Sequence, residues 1–443
     1  MKIFDFILKT KGFNIKKAVQ KIDNLHNMST EEFYDWVEIK KWKIAKFHYL
    51  NNPQYKSLVG NSFPDNWSDL PIIEKKYFQT DIERILSTGY TTNNTYIAST
   101  TGSTGKPLWF AKNKFAHAMT WAMLKNRYRV NGINISKRQG RFWQIPKSLK
   151  SYYTEKLKYI IMNRSRFTVE ELNDSTFSKI LKRMKKDKIS YIYGYTNTIV
   201  AFAKYLKKKK IILSNICPEI RNCIVTAEML HSDDKKLISE NLGVRVINEY
   251  GISEIGLAGF DTLDDDLVLS EETIFYEILY MKNFTNLDDG VGNLILTDLF
   301  NKAFPMIRYK VGDLGKIKST ESNDLFRKKF EKLYGRENDI IRLSNGRQLP
   351  GFSLIKPFDY FFEEKYEVNL GKVREFIFRQ HNLDEFTLDI VSDYDINVYE
   401  ENEIKNLFKT ILKLDINLKI NKVNSIESMR NGKMKQFYSL IDE

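Results

Sequence analysis

Cysteine is nearly absent from this chain. Its 443 residues contain two, Cys217 and Cys223, too few for a disulfide framework or a thiolate metal site. The five histidines, at 26, 48, 117, 231 and 381, are scattered and never spaced as metal ligands. No apolar run approaches the ~18 residues that a membrane-spanning helix needs. The opening Met1-Lys-Ile-Phe-Asp-Phe-Ile-Leu8 is too short for a secretion signal and carries Asp5, so the default expectation is a soluble, cytoplasmic protein. Zinc-finger, RNA-recognition and helix-turn-helix signatures are missing, which argues against nucleic acid as a partner. No internal repeat is visible.

What is present points to a folded, basic chain. The length corresponds to ~3 units of domain size. A 42% hydrophobic content supports substantial cores, and a 13% aromatic share argues against disorder. The net charge of +14 comes from 70 basic and 56 acidic residues. The excess reads as spread out, with local runs at Lys207-Lys-Lys-Lys210 and Lys182-Arg-Met-Lys-Lys186. Solvated helix ends are the ordinary reading of such runs; attraction to an anionic membrane or a polyanionic substrate is the other. Ile3, Phe4, Ile7 and Leu8 share one helical face. That face either packs on the body or makes a peripheral membrane contact.

One stretch organises the rest: Ser99-Thr-Thr-Gly-Ser-Thr-Gly-Lys-Pro107, between β-like runs at Tyr96-Ile-Ala-Ser99 and Leu108-Trp-Phe110. Its residues offer little to a core and much to an oxyanion. Glycines admit close backbone approach, N–H groups and hydroxyls donate, and Lys106 adds charge. It is not the common P-loop, which spaces its glycines by four residues and follows its Lys with Ser or Thr at a helix start. Here Gly102 and Gly105 are two residues apart and Pro107 follows Lys106.

Residues 1 to about 60 read as helices, and Leu70-Pro-Ile-Ile-Glu-Lys-Lys76 as a loop leading into a helix. Phe115 to Val130 reads as a helix, Arg141–Ile145 as a strand, and 151–186 as basic and helical. An alternation follows: strand Ile189–Tyr193, helix Thr196–Lys209, strand Asn222–Val225, a helix capped by Ser232 and stopped by Gly243, strand Val244–Ile247. This spacing means a parallel sheet with crossover helices, whose ligands sit beyond the carboxyl ends of strands. The residues there are Gly194-Tyr195, Thr226-Ala-Glu228 and Asn248–Glu254. From about 273 to 318, β-rich runs at Ile274–Tyr280, Asn293–Thr297, Met306–Tyr309 and Gly315–Lys318 suggest a small antiparallel sheet or barrel. The fold class is therefore α/β. Residues 1–334 form a large domain, and 335–443 a smaller α+β domain with strands at Glu375–Phe378, Phe386–Val391 and Asn417–Ile420 and a helix at Glu401–Lys413.

The 99–107 loop, Tyr250-Gly-Ile-Ser-Glu254, Arg308-Tyr-Lys-Val-Gly-Asp313, Gly335-Arg-Glu-Asn-Asp339 and Asn431-Gly-Lys433 follow one another in order. In this the chain resembles the adenylate-forming superfamily, and within it the phenylacetate–CoA ligase branch with its CapK-type relatives in capsular polysaccharide biosynthesis. The likeness runs from about residue 70 to the end.

The resemblance implies ATP-dependent activation of a carboxylate, with Mg²⁺, and transfer of the acyl group to coenzyme A. An amine acceptor in surface-polysaccharide synthesis, or a degenerate nucleotide-binding protein without turnover, are the alternatives. It implies that Ser99, Thr100, Thr101, Gly102, Ser103, Thr104, Gly105 and Lys106 hold the β- and γ-phosphates. Tyr250 lies against adenine, with Gly251, Ser253, Asn248 and Glu228 around the nucleotide. Glu254 binds the metal ion, Asp313 the ribose hydroxyls, and Arg336 ribose or phosphate. Lys433 bridges carboxylate and α-phosphate, with Lys435 a second candidate. The chemical reason is common to all: two anions must meet, and positive charge with oriented donors offsets their repulsion. The chain departs from the pattern at Asn338, where a hinge Asp is usual, and before Gly432, where Pro and Thr are usual. Gly259-Phe-Asp-Thr-Leu-Asp-Asp-Asp266 has neither Cys nor His, so no zinc is expected. Trp143, Tyr193, Tyr195, Ala227, Glu228 and Gly256 are the candidates for the acyl pocket. The sequence is silent on the oligomeric state.

Overall fold

Four helices build the first sixty residues of the computed structural model: α1 (Lys2–Thr10), α2 (Ile15–His26), α3 (Thr30–Asn51) and α4 (Pro53–Val59). Ser29 starts the longest by a capping box: its hydroxyl accepts from the Glu32 N–H, and the Glu32 carboxylate accepts from the Ser29 N–H. The structure describes residues 2–100, 108–143, 149–168, 173–280, 290–319, 328–336, 340–350, 354, 358, 373–392, 395–424, 426 and 437–441. The chain divides into two units. The first is Met1–Glu277, Leu294–Val311 and Ile317–Glu331; the second is Ile278–Asn293, Gly312–Lys316 and Lys332–Glu443.

After α5 (Ile82–Ile85), β1 (Thr95–Ser99) and β2 (Trp109–Asn113) pair as an antiparallel hairpin. Helix α6 (Lys114–Val130) follows directly. Then come β3 (Gln139–Phe142), α7 (Leu149–Ile161), β4 (Arg164–Phe167), α8 (Asp174–Asp187), β5 (Tyr191–Tyr195), α9 (Thr196–Lys208), α10 (Leu213–Ile216), β6 (Asn222–Thr226), α11 (Ser232–Leu242) and β7 (Arg245–Ile252). Strands β4, β3, β5, β6 and β7 lie side by side in that order, all parallel. The expected crossover architecture is thus present.

The packing follows the sequence period. In α9, Ile199, Phe202, Ala203 and Leu206 are each fully buried; they recur at i, i+3, i+4 and i+7 and cover one side of the sheet with Phe177, Ile180 and Met184 of α8. Burial of each large apolar chain contributes roughly 1.5–3 kcal/mol. Gly243 ends α11 at φ +65°, and a Cβ there would stand 2.2 Å from the Ser214 hydroxyl, so the position requires glycine. The other side of the sheet packs Tyr191, Ile224 and Ile247 against Ala118, Met119 and Ala122 of α6.

Beyond β7 the sheet turns antiparallel through β8 (Gly256–Asp261) and β9 (Leu267–Leu269). It is completed by β10 (Ile274–Tyr280), β11 (Gly292–Asp298), β12 (Tyr309–Ser319) and β13 (Lys328–Arg336), giving eleven strands in the order β10-β11-β12-β13-β9-β8-β7-β6-β5-β3-β4. In the second unit, β14 (Ile340–Arg342) pairs with β15 (Gln348–Pro350). A four-stranded sheet there orders β16 (Val373–Gln380), β17 (Glu385–Ser392), β18 (Asn417–Lys422) and β19 (Phe437–Ser439) as β18-β17-β16-β19. Helix α12 (Val398–Leu412) closes its core with Ile404, Phe408 and Leu412 against Phe376, Phe378 and Leu388.

Several expectations need correction. Residues 151–186 are not wholly helical: β4 lies between two helices, its Arg-Ser-Arg-Phe alternating half-buried and buried at the sheet edge. Arginine is a good helix former, and its presence in an edge strand masks the period of two. Ser232 is the first helical residue rather than the cap, which is His231. Residues 75–78 form a single 3₁₀ turn. The β-runs of 273–318 join the main sheet instead of making a separate one, and β12 begins only at Tyr309. The basic excess is concentrated, not spread. Residues 137–210 hold twenty Lys and Arg against five Asp and Glu, leaving the remainder near neutral; they build β3 through α9. Both cysteines are free and buried. Among the described residues, no helix is long and apolar enough to cross a membrane.

Candidate functional site

The hydroxyl-rich loop is held at its base. Ser99 pairs with Trp109 across the β1–β2 hairpin. One step further, the Thr100 N–H donates to the Leu108 carbonyl at 2.8 Å, and the Leu108 N–H donates to Thr100 Oγ1 at 3.1 Å. Ser99 is exposed and Thr100 half-buried. Thr101, Gly102, Ser103, Thr104, Gly105 and Lys106 lie outside the described residues. What the structure fixes is how the loop's two arms leave the sheet.

Lys112 ties this hairpin to the turn that bears Glu254. It is 3% exposed, an unusual place for an ammonium group. Its Nζ donates to the Ile255 carbonyl and to Thr120 Oγ1, and stands 3.5 Å from the buried Asp298 carboxylate. Asn301 adds a second tie, donating from Nδ2 to the Ala111 carbonyl at 2.9 Å. Behind it, buried His48 donates from Nε2 to the Asn301 carbonyl at 2.8 Å, with Nδ1 3.0 Å from Ser87 Oγ. A carbonyl only accepts, so this bond fixes the neutral tautomer. Burial pushes the imidazole down to about 4.

The Tyr250–Glu254 motif is not a loop after a strand, as expected, but the end of β7 and its turn into β8. The pairing with β8 runs through an irregular register between Tyr250 and Gly251. Glu254 is half-buried, and Gly251 and Ser253 are exposed beside it. The Tyr309 hydroxyl donates to Glu254 Oε1 at 2.9 Å. Tyr309 is 1% exposed, so a fixed donor aims this carboxylate. Its oxygens are hard ligands of the kind Mg²⁺ prefers. Among the described residues, no three His, Cys, Asp or Glu side chains group as a metal cluster. The Tyr250 ring meets Phe330 edge-on, with centroids 5.5 Å apart. The Asn248 N–H donates to Asp261 Oδ2 at 3.0 Å.

Three of the acyl-pocket candidates come together. Trp143 and Tyr195 stack at 4.0 Å, and Tyr193 lies 5.9 Å from Trp143. The Arg141 guanidinium sits over Trp143 at 4.4 Å and over Tyr193 at 4.7 Å. The Tyr193 hydroxyl donates to Glu249 Oε1 at 2.7 Å. Burial pushes the Glu249 carboxyl above its ordinary range and the Tyr193 phenol up as well. Glu228 acts as a helix cap: its carboxylate accepts from the Asn197 N–H at 2.8 Å, and its carbonyl accepts from Thr196 Oγ1 at 3.1 Å. Ala227 before it takes φ +70°, a left-handed conformation that costs a non-glycine residue. Gly256 has φ +131°, and a Cβ there would meet Thr120 Oγ1 at 3.4 Å and Lys112 Nζ at 3.6 Å.

In the second unit, Arg336 Nε lies 3.2 Å from Asp313 Oδ1, which brings two of the predicted nucleotide ligands together. Asn338, Asp339, Lys433 and Lys435 lie outside the described residues. Four further residues escape a sequence reading: Lys112, Tyr309, Glu249 and His48. Lys112 and Glu249 lie two residues beyond the expected runs Leu108–Phe110 and Val244–Ile247, in the extensions of β2 and β7. Tyr309 belongs to the Arg308–Asp313 motif, but its partner is 55 residues away.

No family model matches the chain. It is 24% identical over 342 residues to Protein CapK of Staphylococcus aureus, covering 72% of this chain and 68% of that protein. It is 28% identical over 129 residues to the phenylacetate–coenzyme A ligase of Pseudomonas putida, under a third of either chain. Among solved structures, 2-hydroxyisobutyryl-CoA ligase in its postadenylation state superposes with a TM-score of 0.68 at 14% identity, over 94% of this chain and 91% of that one. The chain therefore has the fold of the adenylate-forming ligases, and its curated relatives fall in the CapK and phenylacetate–CoA ligase branch that its motifs resemble.

Proposed function

We propose that the chain joins an organic acid to AMP at the expense of ATP, releasing pyrophosphate, and then passes the acyl group to a thiol, coenzyme A. The observation that carries this reading is the aimed Glu254 carboxylate, on a turn to which Lys112 ties the hairpin bearing the hydroxyl-rich loop. In this reading Ser99 to Lys106 receive the outer phosphates, Tyr250 faces adenine, and Glu254 holds Mg²⁺, which supplies charge neutralisation along the phosphates. Tyr309 orients Glu254 and so lowers the cost of arranging it at each turnover. From the second unit, Asp313 and Arg336 take the ribose, and Lys433 neutralises the meeting anions. The 2-hydroxyisobutyryl-CoA ligase structure is described in complex with an acyl-AMP, which accords with this chemistry for the shared fold.

The test is ATP–pyrophosphate exchange with the full chain over a panel of aryl, fatty and amino acids, each with and without acid. Acid-dependent exchange is expected. Glu254→Gln should lower it at least ~100-fold, the scale of losing a preorganised charge at the reacting centre. Lys433→Ala should suppress exchange while leaving ATP binding nearly intact; if Lys435→Ala does this instead, the terminal lysine is reassigned. Thioester formation with coenzyme A against amide formation with an amine identifies the acceptor. Exchange with no acid of the panel would overturn the reading.

A further inference from the structure

Helix α7 turns an apolar stripe toward solvent. Tyr153, Leu157 and Ile160 are 65%, 59% and 70% exposed; spaced i, i+4 and i+7, they share one face. The inward face is occupied: Tyr159 is buried, with the Arg166 guanidinium of β4 over its ring at 4.1 Å. Among the described residues, no other helix exposes three large apolar side chains. Single apolar residues on a surface are ordinary, whereas a row of them marks a contact.

The charge around the stripe has one sign. Residues 137–166 hold nine Lys and Arg against a single acid, Glu155. Glu155 is itself held by Lys158 at 2.9 Å and by Arg166 at 3.0 Å. Lys156 and Lys158 are exposed on the helix. Lys137 and Arg138, also exposed, are brought to its end: Arg138 Nε donates to Asn163 Oδ1 at 3.0 Å, and Asn163 Nδ2 donates to the Ser136 carbonyl at 3.1 Å. Strand β4 is the last of the sheet, so α7 flanks an edge. The chain steps outward from β3 to β4 through α7 and back inward through α8 and α9. Right-handed crossovers therefore put α7 on the α6 side of the sheet, and α8 with α9 on the other.

Stripe and cations make different demands. A polyanion would answer the cations and leave the apolar side chains wet. A second copy packed about a two-fold axis would cover the apolar side chains but set like charges against each other. A layer of anionic lipid answers both: apolar tips enter the boundary between headgroups and acyl chains, while lysine stems reach the phosphates. We propose that α7 docks the chain on an anionic membrane surface, inserting Tyr153, Leu157 and Ile160 with the surrounding cations on lipid phosphates. This docking is independent of the ligase chemistry.

The experiment floats the full chain with vesicles of phosphatidylglycerol and phosphatidylcholine, and with phosphatidylcholine alone, at ~0.1 and ~0.5 M salt. Binding to the anionic vesicles should exceed binding to the neutral ones at least ~10-fold and weaken with salt. Leu157→Ser with Ile160→Ser should lower it at least ~10-fold. Both positions are exposed, so thermal unfolding should not change, and Leu157→Ser alone serves if it does. Lys137→Gln with Lys156→Gln should lower binding at least ~10-fold, at about five-fold for each charge removed. Lys185→Gln with Lys186→Gln, exposed on α8 across the sheet, should leave it unchanged. Both native cysteines are buried, so a polarity-sensitive dye can be placed through Ile160→Cys. Its emission should shift to the blue on anionic vesicles, and that of a dye placed through Lys186→Cys should not. Absence of binding to anionic vesicles would overturn the proposal. So would binding that survives the serine pair, binding that depends on the α8 lysines instead, or a dye at position 160 that stays in water. Self-association lost in the serine pair, without vesicle binding, would overturn it in favour of a second copy.

Discussion

Replacing Lys112 by methionine tests whether the buried ammonium group organises the hairpin and the Glu254 turn. Methionine matches the length of the side chain and removes its charge. Lys112 and Asp298 have side chains only 3% and 6% exposed, so solvent cannot take over for the lost partner. Truncating one member of a buried ion pair generally costs ~3–5 kcal/mol. Two features set where in that range this pair falls. Asp298 Oδ1 keeps the N–H groups of Phe300 and Asn301, at 2.9 and 3.0 Å, which continue to stabilise the anion and favour the lower end. The Ile255 carbonyl loses its donor, which adds part of an unmet hydrogen bond and pushes upward. The expected loss is about 4 kcal/mol, read from urea unfolding followed by tryptophan fluorescence and circular dichroism. Asp298→Asn alone leaves the ammonium group without its anion and should also destabilise. The double variant should cost less than the two single changes combined by at least ~1 kcal/mol, the coupling expected of groups in contact. Exchange activity should fall together with stability, since the same bonds hold the turn beneath Glu254. A loss below ~1 kcal/mol in Lys112→Met, or strict additivity in the double variant, would refute the reasoning.

Two other perturbations concern buried positions in the first unit. His48 is neutral in the fold and titrates near 4 because it is buried, against 6.5 when unfolded, so the unfolded chain binds the extra proton. Stability should fall as pH drops from about 6.5 to 4 by up to ~3 kcal/mol, and His48→Gln should flatten that slope in unfolding midpoints measured across the range. His117, pushed down to about 3 mainly by burial, adds a slope of the same sign, which the difference between the two proteins removes. At Gly194, a Cβ would stand 2.8 Å from Phe142 Cβ and 3.1 Å from Ile199 Cδ1. Gly194→Ala should therefore lower stability by ~1–3 kcal/mol in thermal unfolding, and Phe142→Leu should not rescue it, because leucine keeps the offending Cβ.

What the sequence revealed and what it hid divide along a physical line. The period of α9 and the glycine stop of α11 are local, set by side chains within one or two turns, and both were legible. Strand β4 was not, since an edge strand of alternating arginines has the composition of a helix. The continuation of β7 through Tyr250 and Gly251 was hidden for another reason. Its pairing with β8 is decided by Leu257 and Gly259 across the sheet, not by its own propensity. The same holds for the site. The motif residues announced themselves by type and order, whereas Lys112 and Tyr309 acquire their roles only from Asp298, Ile255 and Glu254, remote in sequence.

This contrast bears on how the site works. Those groups assigned to the nucleotide that lie among the described residues are exposed or half-buried, as Ser99, Ser253 and Glu254 are. Their positions are set by a second layer that is almost wholly buried: Tyr309 on Glu254, Lys112 on the Ile255 carbonyl, Asn301 on β2 and His48 on Asn301. Charged and polar side chains are costly to bury, and this chain buries them behind one turn and one hairpin. That expense is coherent if the turn and the hairpin must keep fixed positions while a highly charged ligand enters and leaves, because a donor arranged in advance stabilises developing charge without having to reorganise. It follows that changes in the buried layer should act on activity at substitutions too mild to unfold the protein. Tyr309→Phe removes one hydroxyl and little volume. It should lower exchange by raising the KM for Mg·ATP while the unfolding free energy falls by no more than about 1.5–3 kcal/mol, the scale of one hydrogen bond to a charged group. Unchanged kinetics in that variant would mean that Glu254 finds its position without help, and that the buried layer serves stability alone.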